Sequence, residues 1–179
     1  MEYRDVLGFW FEDLRPEDWT KSCEDLDRTI AVKFGELHKS CCNGELEEWR
    51  MTPRGRLAEI LVLDQFSRNI YRNKPKAYYW DSTALVLAQE AIRNNIHQEL
   101  SAPKRLFLYK PFSHSESPKI QQIAVNLYSE PGLEHNLEAV SERKNIIERF
   151  GRYPNRNLTL GRESTTEELE FLKQNSTNF

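Results

Sequence analysis

The sequence predicts an all-α fold with about seven helices. Apolar residues recur at intervals of three or four along most of the chain, which is the periodicity of a helix with one buried face. Short connections rich in proline, glycine or polar residues separate these stretches, and alternation typical of strands is missing. With 179 residues, the chain has the length of one domain that buries about 70% of its unfolded surface. We therefore expect a single all-helical domain over residues 1–179.

The stretch LAEILVLDQFSRNIYR, from Leu57 to Arg72, is the predicted central helix. It contains the most continuous apolar run in a charged sequence. Thr52 is a predicted N-cap, and Pro53 suits the first position of the helix. The stretch becomes ionic towards its end, with charged side chains four positions apart that are predicted to share one side: Asp64, Arg68 and Arg72.

The remaining helices follow from the same periodicity and from capping signals. We predict helices at 2–11 and 23–42, a helix capped by Asp81, one opening at Pro118, and a long helix ended by Gly151. The strand-like run Arg105–Phe112 is interpreted as a helix end or an extended connector, because Pro111 interrupts it. Residues 152–162 are predicted to be irregular. Thr165 and Glu168 predict a capping box for a last helix with these inward residues: Leu169, Phe171 and Leu172.

Charge and hydropathy exclude several classes of partner. The net charge is −3, which argues against general affinity for nucleic acid or for an acidic membrane surface. No run of about 18 apolar residues occurs, so we expect no membrane span. The N-terminus lacks the basic start and the cleavage site of a signal peptide. We expect a cytoplasmic protein that uses no cofactor.

The cysteines predict neither a disulfide framework nor a metal site. There are three, which is an odd number, and Cys41 and Cys42 are adjacent. His38 lies close to this pair, but zinc sites need a second, well-spaced pair that Cys23 alone does not supply. Free, partly buried thiols are the expected state.

Three segments are polar in a way that core packing does not require. The first is the ionic end of the central helix, the second is His114-Ser115-Glu116, and the third is the arginine-rich and glycine-rich stretch Arg149–Arg162. Glycines between closely spaced arginines let backbone N–H groups and guanidinium groups approach one object together. Such an arrangement suits an anion: a phosphate, a carboxylate, or the protein's own aspartates and glutamates.

These motifs give the chain a resemblance to the bacterial domain of unknown function 924 family. The resemblance extends from VLGFWF at Val6 to the last helix and is carried by LDQFSRNIYR, FLYKPFSHSE, RFGRYPNRN and LGR. It implies a helical protein with tetratricopeptide-like packing, although no 34-residue repeat is visible. It implies no established activity. Family members tend to have histidine at the positions of Arg143 and Asn155 and an acidic residue at Ile120, which weakens a catalytic interpretation of this chain.

Three hypotheses for function follow. In the first, the protein binds a small anionic molecule or a carboxylate-bearing peptide end in a cleft, with Asp64 orienting the guanidinium groups and His114 at the rim. The arginines of this ligand-binding set are Arg68, Arg72, Arg152, Arg156 and Arg162.

The second hypothesis is an enzyme, such as a hydrolase, that uses His114 and Glu116 as catalytic residues. The third is a scaffold that binds a protein partner and whose arginines only form structural ion pairs. Under that hypothesis the carboxylates that neutralise the arginines are Asp27, Asp64, Asp81, Glu116 and Glu163.

Overall fold

A computed structural model describes residues 1–175 of the chain. Within these residues, all regular secondary structure is helical. The predicted all-α class is confirmed. The α-helices in chain order are α1 Tyr3–Gly8, α2 Glu24–Cys42, α3 Pro53–Leu61, α4 Ser67–Ile70, α5 Asp81–Arg93, α6 Ala102–His114, α7 Pro118–Tyr128, α8 Glu134–Phe150, α9 Asn157–Leu160 and α10 Thr166–Gln174. The tetratricopeptide-like arrangement stays a prediction.

Helices α3 and α4 form the centre of the fold. Helix α3 begins as predicted, since the Thr52 hydroxyl accepts a hydrogen bond of 3.0 Å from the Gly55 N–H and Pro53 is the first helical residue. It packs against α1, α5 and α6, while α4 packs against α2. Its apolar side chains are almost fully inaccessible: Leu57, Ala58, Ile60 and Leu61. The second half of α3, from Leu57 to Leu61, is therefore enclosed by other helices, whereas Arg54 near its start is exposed.

A π-helical turn, Val62–Phe66, joins α3 to α4. It carries Asp64 into the interior, where the side chain is 1% exposed. Helix α4 ends at Ile70, so Arg72 lies beyond the helix and not on it, contrary to the predicted boundary. Since the helix ends, the predicted shared side holds for Asp64 and Arg68 but does not extend to Arg72.

The second half of the chain adds two helical layers. Helix α7 packs against both α6 and α8, and one large apolar cluster runs from α1 through α7 into α8. A smaller cluster of Ile146, Ile147 and Tyr153 lies at the end of α8, with Phe171 of α10 packed against it. This small cluster fixes residues 151–162, the loop that carries several of the arginines.

Several predicted caps and boundaries are confirmed. The structure has the predicted helices of residues 24–42 and 118–128. Gly151 ends α8 with a φ of +69°, a left-handed conformation that glycine adopts without strain. The capping box of Thr165 and Glu168 opens α10. These positions are determined by local chemistry, which is why short-range signals identify them.

Other local predictions are wrong. Of the two interpretations of Arg105–Phe112, the helical one holds and the connector is wrong, because the run lies within α6 and Pro111 does not interrupt that helix. Residues 152–162 contain a 3₁₀ turn, Pro154–Arg156, and the short helix α9, so they are not wholly irregular. Leu169 is 48% exposed, and the fully buried residue of α10 is instead Glu168. An ion pair, described below, accounts for that buried carboxylate.

Asp81 does not cap α5 with its side chain. It is the first residue of α5 and follows the N-cap residue Trp80. Its carboxylate instead contacts arginines from other segments. This difference moves Asp81 from a local capping role into the polar centre of the molecule.

The expected free, partly buried thiols are found at two of the three cysteines. Cys41 is buried and Cys42 half-buried, but Cys23 is exposed, and all three are free thiols. In residues 1–175, no helix combines the length and the apolar character that crossing a membrane requires.

Candidate functional site

The three polar segments identified from the sequence meet in space. The Nδ1 nitrogen of His114, at the end of α6, lies 2.7 Å from Asp64 Oδ1 in the π-helical turn. Arg156 Nη2, in the loop after α8, donates a hydrogen bond of 3.0 Å to the backbone oxygen of His114. Segments far apart in sequence thus form one cluster, as the sequence predicted.

Asp64 is the buried anion at the base of this cluster. Arg68 Nη1 donates to the Asp64 backbone oxygen at 2.8 Å and to Oδ1 at 3.1 Å, and Gln65 Nε2 donates to Oδ2. Burial alone would raise the pKa of Asp64, but Arg68 and His114 outweigh it and hold the pKa well below its ordinary value. Asp64 is therefore an ionised carboxylate with no exposed surface to offer a ligand.

Arg68 joins Asp64 to Asp81. Its two terminal nitrogens donate to the two carboxylate oxygens of Asp81, each at 2.9 Å. Arg156 approaches the same carboxylate at 3.5 Å. Burial raises the pKa of Asp81, although Arg68 opposes the shift. With three carboxylate contacts and one backbone contact, most donors of Arg68 are already used inside the protein.

The tautomer of His114 follows from its partner. Because ionised Asp64 can only accept, His114 Nδ1 carries the proton and donates, which leaves Nε2 as the unprotonated nitrogen. Burial first, and then the positive charge of Arg68, lower the pKa of His114 to about 3. At neutral pH this imidazole is uncharged.

Arg156 is held by aromatic rings. Its guanidinium carbon lies 4.7 Å from the Tyr78 ring centroid and 4.6 Å from that of Tyr153. The residue is 8% exposed. Burial, and then Arg68, lower the pKa of Arg156. Contact with two rings holds the guanidinium group of a cation whose single carboxylate contact within residues 1–175 is long, at 3.5 Å.

The other predicted arginines are paired with carboxylates. Arg72 donates through two nitrogens to Asp27, with the Nη2–Oδ1 distance at 2.7 Å. Arg152 binds Glu168 through two hydrogen bonds of 2.7 and 2.8 Å. Each pair is a fork of guanidinium on carboxylate, which combines charge with fixed geometry.

Arg162 and Glu116 form a third such fork. Arg162 donates to the Glu116 oxygens at 2.7 and 3.0 Å, and the Tyr153 N–H donates to Glu116 at 2.7 Å. Burial opposes the ionisation of Glu116, but Arg162 and the Tyr153 N–H hold its pKa below the ordinary value. Of the predicted neutralising carboxylates, Glu163 is wrong: it offers only its backbone oxygen, to Arg152, and Glu168 takes its place.

A basic cavity of about 440 Å³ opens beside the cluster. Its walls contain five cationic side chains and no carboxylate. The lining residues are Trp19, Thr20, Ser22, Gln65, Arg68, Arg72, Asn73, Ala77, Tyr78, Lys110, His114, Arg143, Asn155 and Arg156. We call this the basic cavity. Arg152 and Arg162 do not line it, so the structure separates them from Arg68, Arg72 and Arg156.

Lys110 and Arg143 are the two cations of the basic cavity that pair with no carboxylate among residues 1–175. Neither side chain makes a hydrogen bond or an ion pair with a residue in the described range 1–175, and the Lys110 nitrogen contacts the face of the Phe107 ring. Burial, and then Arg143, lower the pKa of Lys110 to about 8. Their positive charge is therefore directed at the space of the cavity and is not neutralised by a neighbouring carboxylate.

Sequence reasoning missed Lys110 as a site residue and named Arg143 only as a departure from the family pattern. A signal for Lys110 existed, because it precedes His114 by four positions and therefore shares a face of α6 with it. Arg143 lies on α8, whose charged residues look like an ordinary solvated face in the sequence. Of the three positions at which the chain departs from the family pattern, Arg143 and Asn155 line the basic cavity and Ile120 does not.

A second cavity, of about 330 Å³, shares Tyr78, His114 and Arg156 with the basic cavity as lining residues. Asp81 and Glu116 contribute carboxylates to its walls, and both are already paired with arginines. No metal site accompanies either cavity: within residues 1–175, no group of three or more histidine, cysteine, aspartate or glutamate side chains is placed to hold an ion.

Comparisons with known proteins identify the family. The profile of the family described as bacterial protein of unknown function (DUF924) matches residues 6–176. A solved structure of a protein of unknown function, ATU0120 from Agrobacterium tumefaciens, is similar with a TM-score of 0.90 and 36% sequence identity, covering 96% of this chain and 97% of that chain. No curated protein matches the sequence. The chain belongs to the bacterial family of unknown function 924.

Proposed function

We propose that this protein binds a small anionic molecule, or a carboxylate-bearing peptide end, in the basic cavity. The observation that carries the proposal is the pair Lys110 and Arg143, two cations in one cavity without a neutralising partner among residues 1–175. Buried or half-buried charges in proteins are ordinarily paired. An anion from solution would supply the charge that the protein itself does not.

The size and lining of the cavity support a small ligand. A volume of about 440 Å³ falls within the range of roughly 300–1,000 Å³ that small-molecule sites occupy. Five cationic side chains without an acidic one create a positive potential that concentrates anions. The chain as a whole carries a net charge of −3, so this positive region is local and specific to the cavity.

The proposal gives the predicted residues distinct roles. Arg156, fixed between two rings, presents its guanidinium group beside Lys110 and Arg143, and Arg68 and Arg72 contribute positive charge while bound to their aspartates. Asp64 orients Arg68 and His114. His114 Nε2, the unprotonated nitrogen, can accept a hydrogen bond from a ligand hydroxyl or amide.

Arg152 and Arg162 support the site indirectly in this proposal. Their forks to Glu168 and Glu116 hold the loop that carries Arg156. The π-helical turn that carries Asp64 is a kind of irregularity that occurs often at functional sites. The helices around the site would form the tetratricopeptide-like array that the family resemblance implies.

A hydrolase remains the second candidate, because Asp64 and His114 form a dyad at a cavity. Glu116, the predicted partner of His114, is engaged by Arg162 and Tyr153, so the acid in such a mechanism would be Asp64. A general base works best when its pKa is near the working pH. The pKa of His114, about 3, makes the imidazole a weak proton acceptor, and this favours binding over hydrolysis. Equal activity of wild type and His114→Ala in a hydrolase screen would remove the candidate.

Thermal shift against a panel of phosphates and small carboxylates tests the proposed function. A ligand that binds only the native state raises the melting temperature as its concentration exceeds the Kd. We expect at least one anion to stabilise the wild type and to lose that effect in Arg143→Gln. Arg149→Gln is the matched control, since Arg149 is an exposed arginine of the same helix that pairs with Glu167. If no anion stabilises the wild type, the arginines are purely structural and the proposal fails.

A further inference from the structure

We propose that Lys110 is a nucleophilic amine that forms an imine with a small 2-oxo acid held in the basic cavity. This inference rests on the proposed function and deepens it, because it names the class of anion and adds a covalent step. Anion binding alone requires only positive charge from Lys110. Imine formation also requires an uncharged amine that faces the ligand.

The placement of Lys110 meets the first requirement. It lies on α6 one turn before His114 and lines the same cavity. The Lys110 nitrogen lies over the face of the Phe107 ring, 5.2 Å from its centroid, at the wall of the cavity. No carboxylate lies within ion-pair distance among residues 1–175.

The charges around Lys110 meet the second requirement. Burial penalises the ammonium form, Arg143 and Arg68 repel it, and Asp64 attracts it only in part because that carboxylate is bound to Arg68 and His114. The resulting pKa of about 8 leaves roughly one tenth of the amine uncharged at neutral pH. Lysines used as nucleophiles are activated by desolvation or by a neighbouring cation, and Lys110 has both.

The neighbouring cations select a ligand that carries a carboxylate next to its carbonyl group. A guanidinium group binds a carboxylate through two parallel hydrogen bonds and fixes its plane. With the carboxylate held by Arg143 or Arg156, the carbonyl carbon of a 2-oxo acid lies one bond away. A bound carboxylate also reduces the net positive charge of the cavity. The carbinolamine that precedes the imine is uncharged at nitrogen, so it adds no positive charge.

The chemical step is a condensation. The lone pair of the neutral Lys110 nitrogen attacks the carbonyl carbon, a C–N bond forms, and the C–O π bond breaks to give a carbinolamine. The carbonyl oxygen then leaves as water, with both amine hydrogens, as the C=N bond forms. No oxidant or reductant takes part, and hydrolysis restores the amine and the 2-oxo acid.

Borohydride trapping with pyruvate tests the inference on the full chain. Sodium borohydride delivers hydride to the imine carbon and converts the C=N bond to a stable secondary amine, which peptide mass mapping detects as the mass of pyruvate less one oxygen atom. We expect labelling of Lys110 more than about ten times above that of other lysines, because a pKa of about 8 against an ordinary 10.5 gives it roughly 300 times more uncharged amine at pH 7. Excess propanoate, which has the carboxylate but no keto group, should suppress that labelling.

Two variants complete the test. Lys110→Arg keeps the charge and should abolish the enriched label, whereas Lys119→Arg, which changes an exposed lysine of α7, should leave it intact. Labelling spread evenly over exposed lysines of the wild type would overturn the inference. If propanoate stabilises the wild type while Lys110 stays unlabelled, this inference fails and the proposed function stands. If no anion stabilises the wild type, the proposed function itself fails.

Discussion

His114 and Asp64, fifty positions apart in sequence, are joined by a hydrogen bond of 2.7 Å between Nδ1 and Oδ1. The contact connects the end of α6 to the π-helical turn before α4, beneath the basic cavity. It fixes the tautomer of the histidine, and the same Asp64 oxygen accepts a hydrogen bond of 3.1 Å from Arg68. The geometry of the cavity wall therefore depends on one buried carboxylate.

Replacement of Asp64 by asparagine should destabilise the protein by about 3 kcal/mol, because it removes the charge that pairs with buried Arg68. Asp81 still holds Arg68 through two hydrogen bonds, so the loss should be at the lower end of the values for broken buried pairs. Urea unfolding with a two-state analysis measures the change.

The control for this substitution is Glu36→Gln. Glu36 forms an ion pair with Lys39, but its side chain is 89% exposed. Pairs of this kind contribute about 0–1 kcal/mol, so the unfolding midpoint should barely move. Equal stability of Asp64→Asn and wild type would show that Asp64 is not the buried anion described above.

His114 should stay uncharged at pH values where a free histidine is protonated. Its pKa is lowered from the ordinary 6.5 to about 3, so the unfolded chain takes up this proton first. Because the pKa of His114 is lower in the folded than in the unfolded chain, His114 contributes stability above pH 6.5, and that stability is lost as the pH falls towards 3. Long-range ¹H–¹⁵N spectra of the folded protein at pH 5.5 should show a protonated Nδ1 and an unprotonated Nε2.

The same imidazole in the urea-unfolded protein is the internal control, since it should titrate near pH 6.5. An imidazolium signal for His114 in the folded protein at pH 5.5 would contradict both the tautomer and the role of burial.

The sequence predicts helices well where a local signal determines them. Thr52, Pro53, Gly151 and the Thr165–Glu168 box all act within one or two turns, and the structure confirms each. Leu169 was predicted to be buried because apolar residues usually are. Leu169 is exposed because its neighbour Glu168 faces inward, where it pairs with Arg152. That tertiary contact cannot be read from the local sequence pattern.

The candidate site was predictable only in outline. The sequence identified His114, Arg68 and Arg156 because they stand in unusual polar motifs. Asp81 was named among the possible partners of the arginines, but nothing in the sequence assigned it to Arg68 in particular. Nothing in the sequence showed that Lys110 and Arg143 would lack a carboxylate partner. Long-range packing decides which cations pair with a carboxylate. The spacing of residues along the chain does not contain that information.

Replacement of Gly55 by alanine should strongly destabilise the entry to α3. A Cβ atom at this position would overlap the backbone carbonyl oxygen of Trp49 and lie 2.9 Å from the Thr52 hydroxyl that caps the helix. We expect a loss of about 1–3 kcal/mol from overpacking, measured by urea unfolding.

The matched control is Gly35→Ala in α2, where a Cβ atom meets nothing within 4 Å. There the change should stabilise the protein by about 0.5–1 kcal/mol, since alanine favours the helix. Identical effects of the two substitutions would contradict the described packing of the turn before α3.

Acid should weaken the attachment of α10. Hydrogen bonds from Arg152 lower the pKa of Glu168 to about 2 from an ordinary 4.5, against the opposing effect of burial. A lowered pKa means that the ionised carboxylate contributes stability above pH 4.5, and that this contribution is lost as the pH falls towards 2. The unfolding midpoint of wild type should therefore fall more steeply between pH 5 and pH 2 than that of Glu168→Gln. Parallel curves would contradict the assignment.

The most direct test of anion binding observes Arg143 itself. Arginine Nε–Hε signals can be followed by NMR while phosphate or a small carboxylate is added to the full chain at constant ionic strength. We expect a saturable shift of the Arg143 signal and no shift of the Arg152 signal, because Arg152 is held by Glu168 outside the basic cavity. An Arg143 signal that does not respond to any anion, or one that moves in parallel with Arg152, would contradict the central claim.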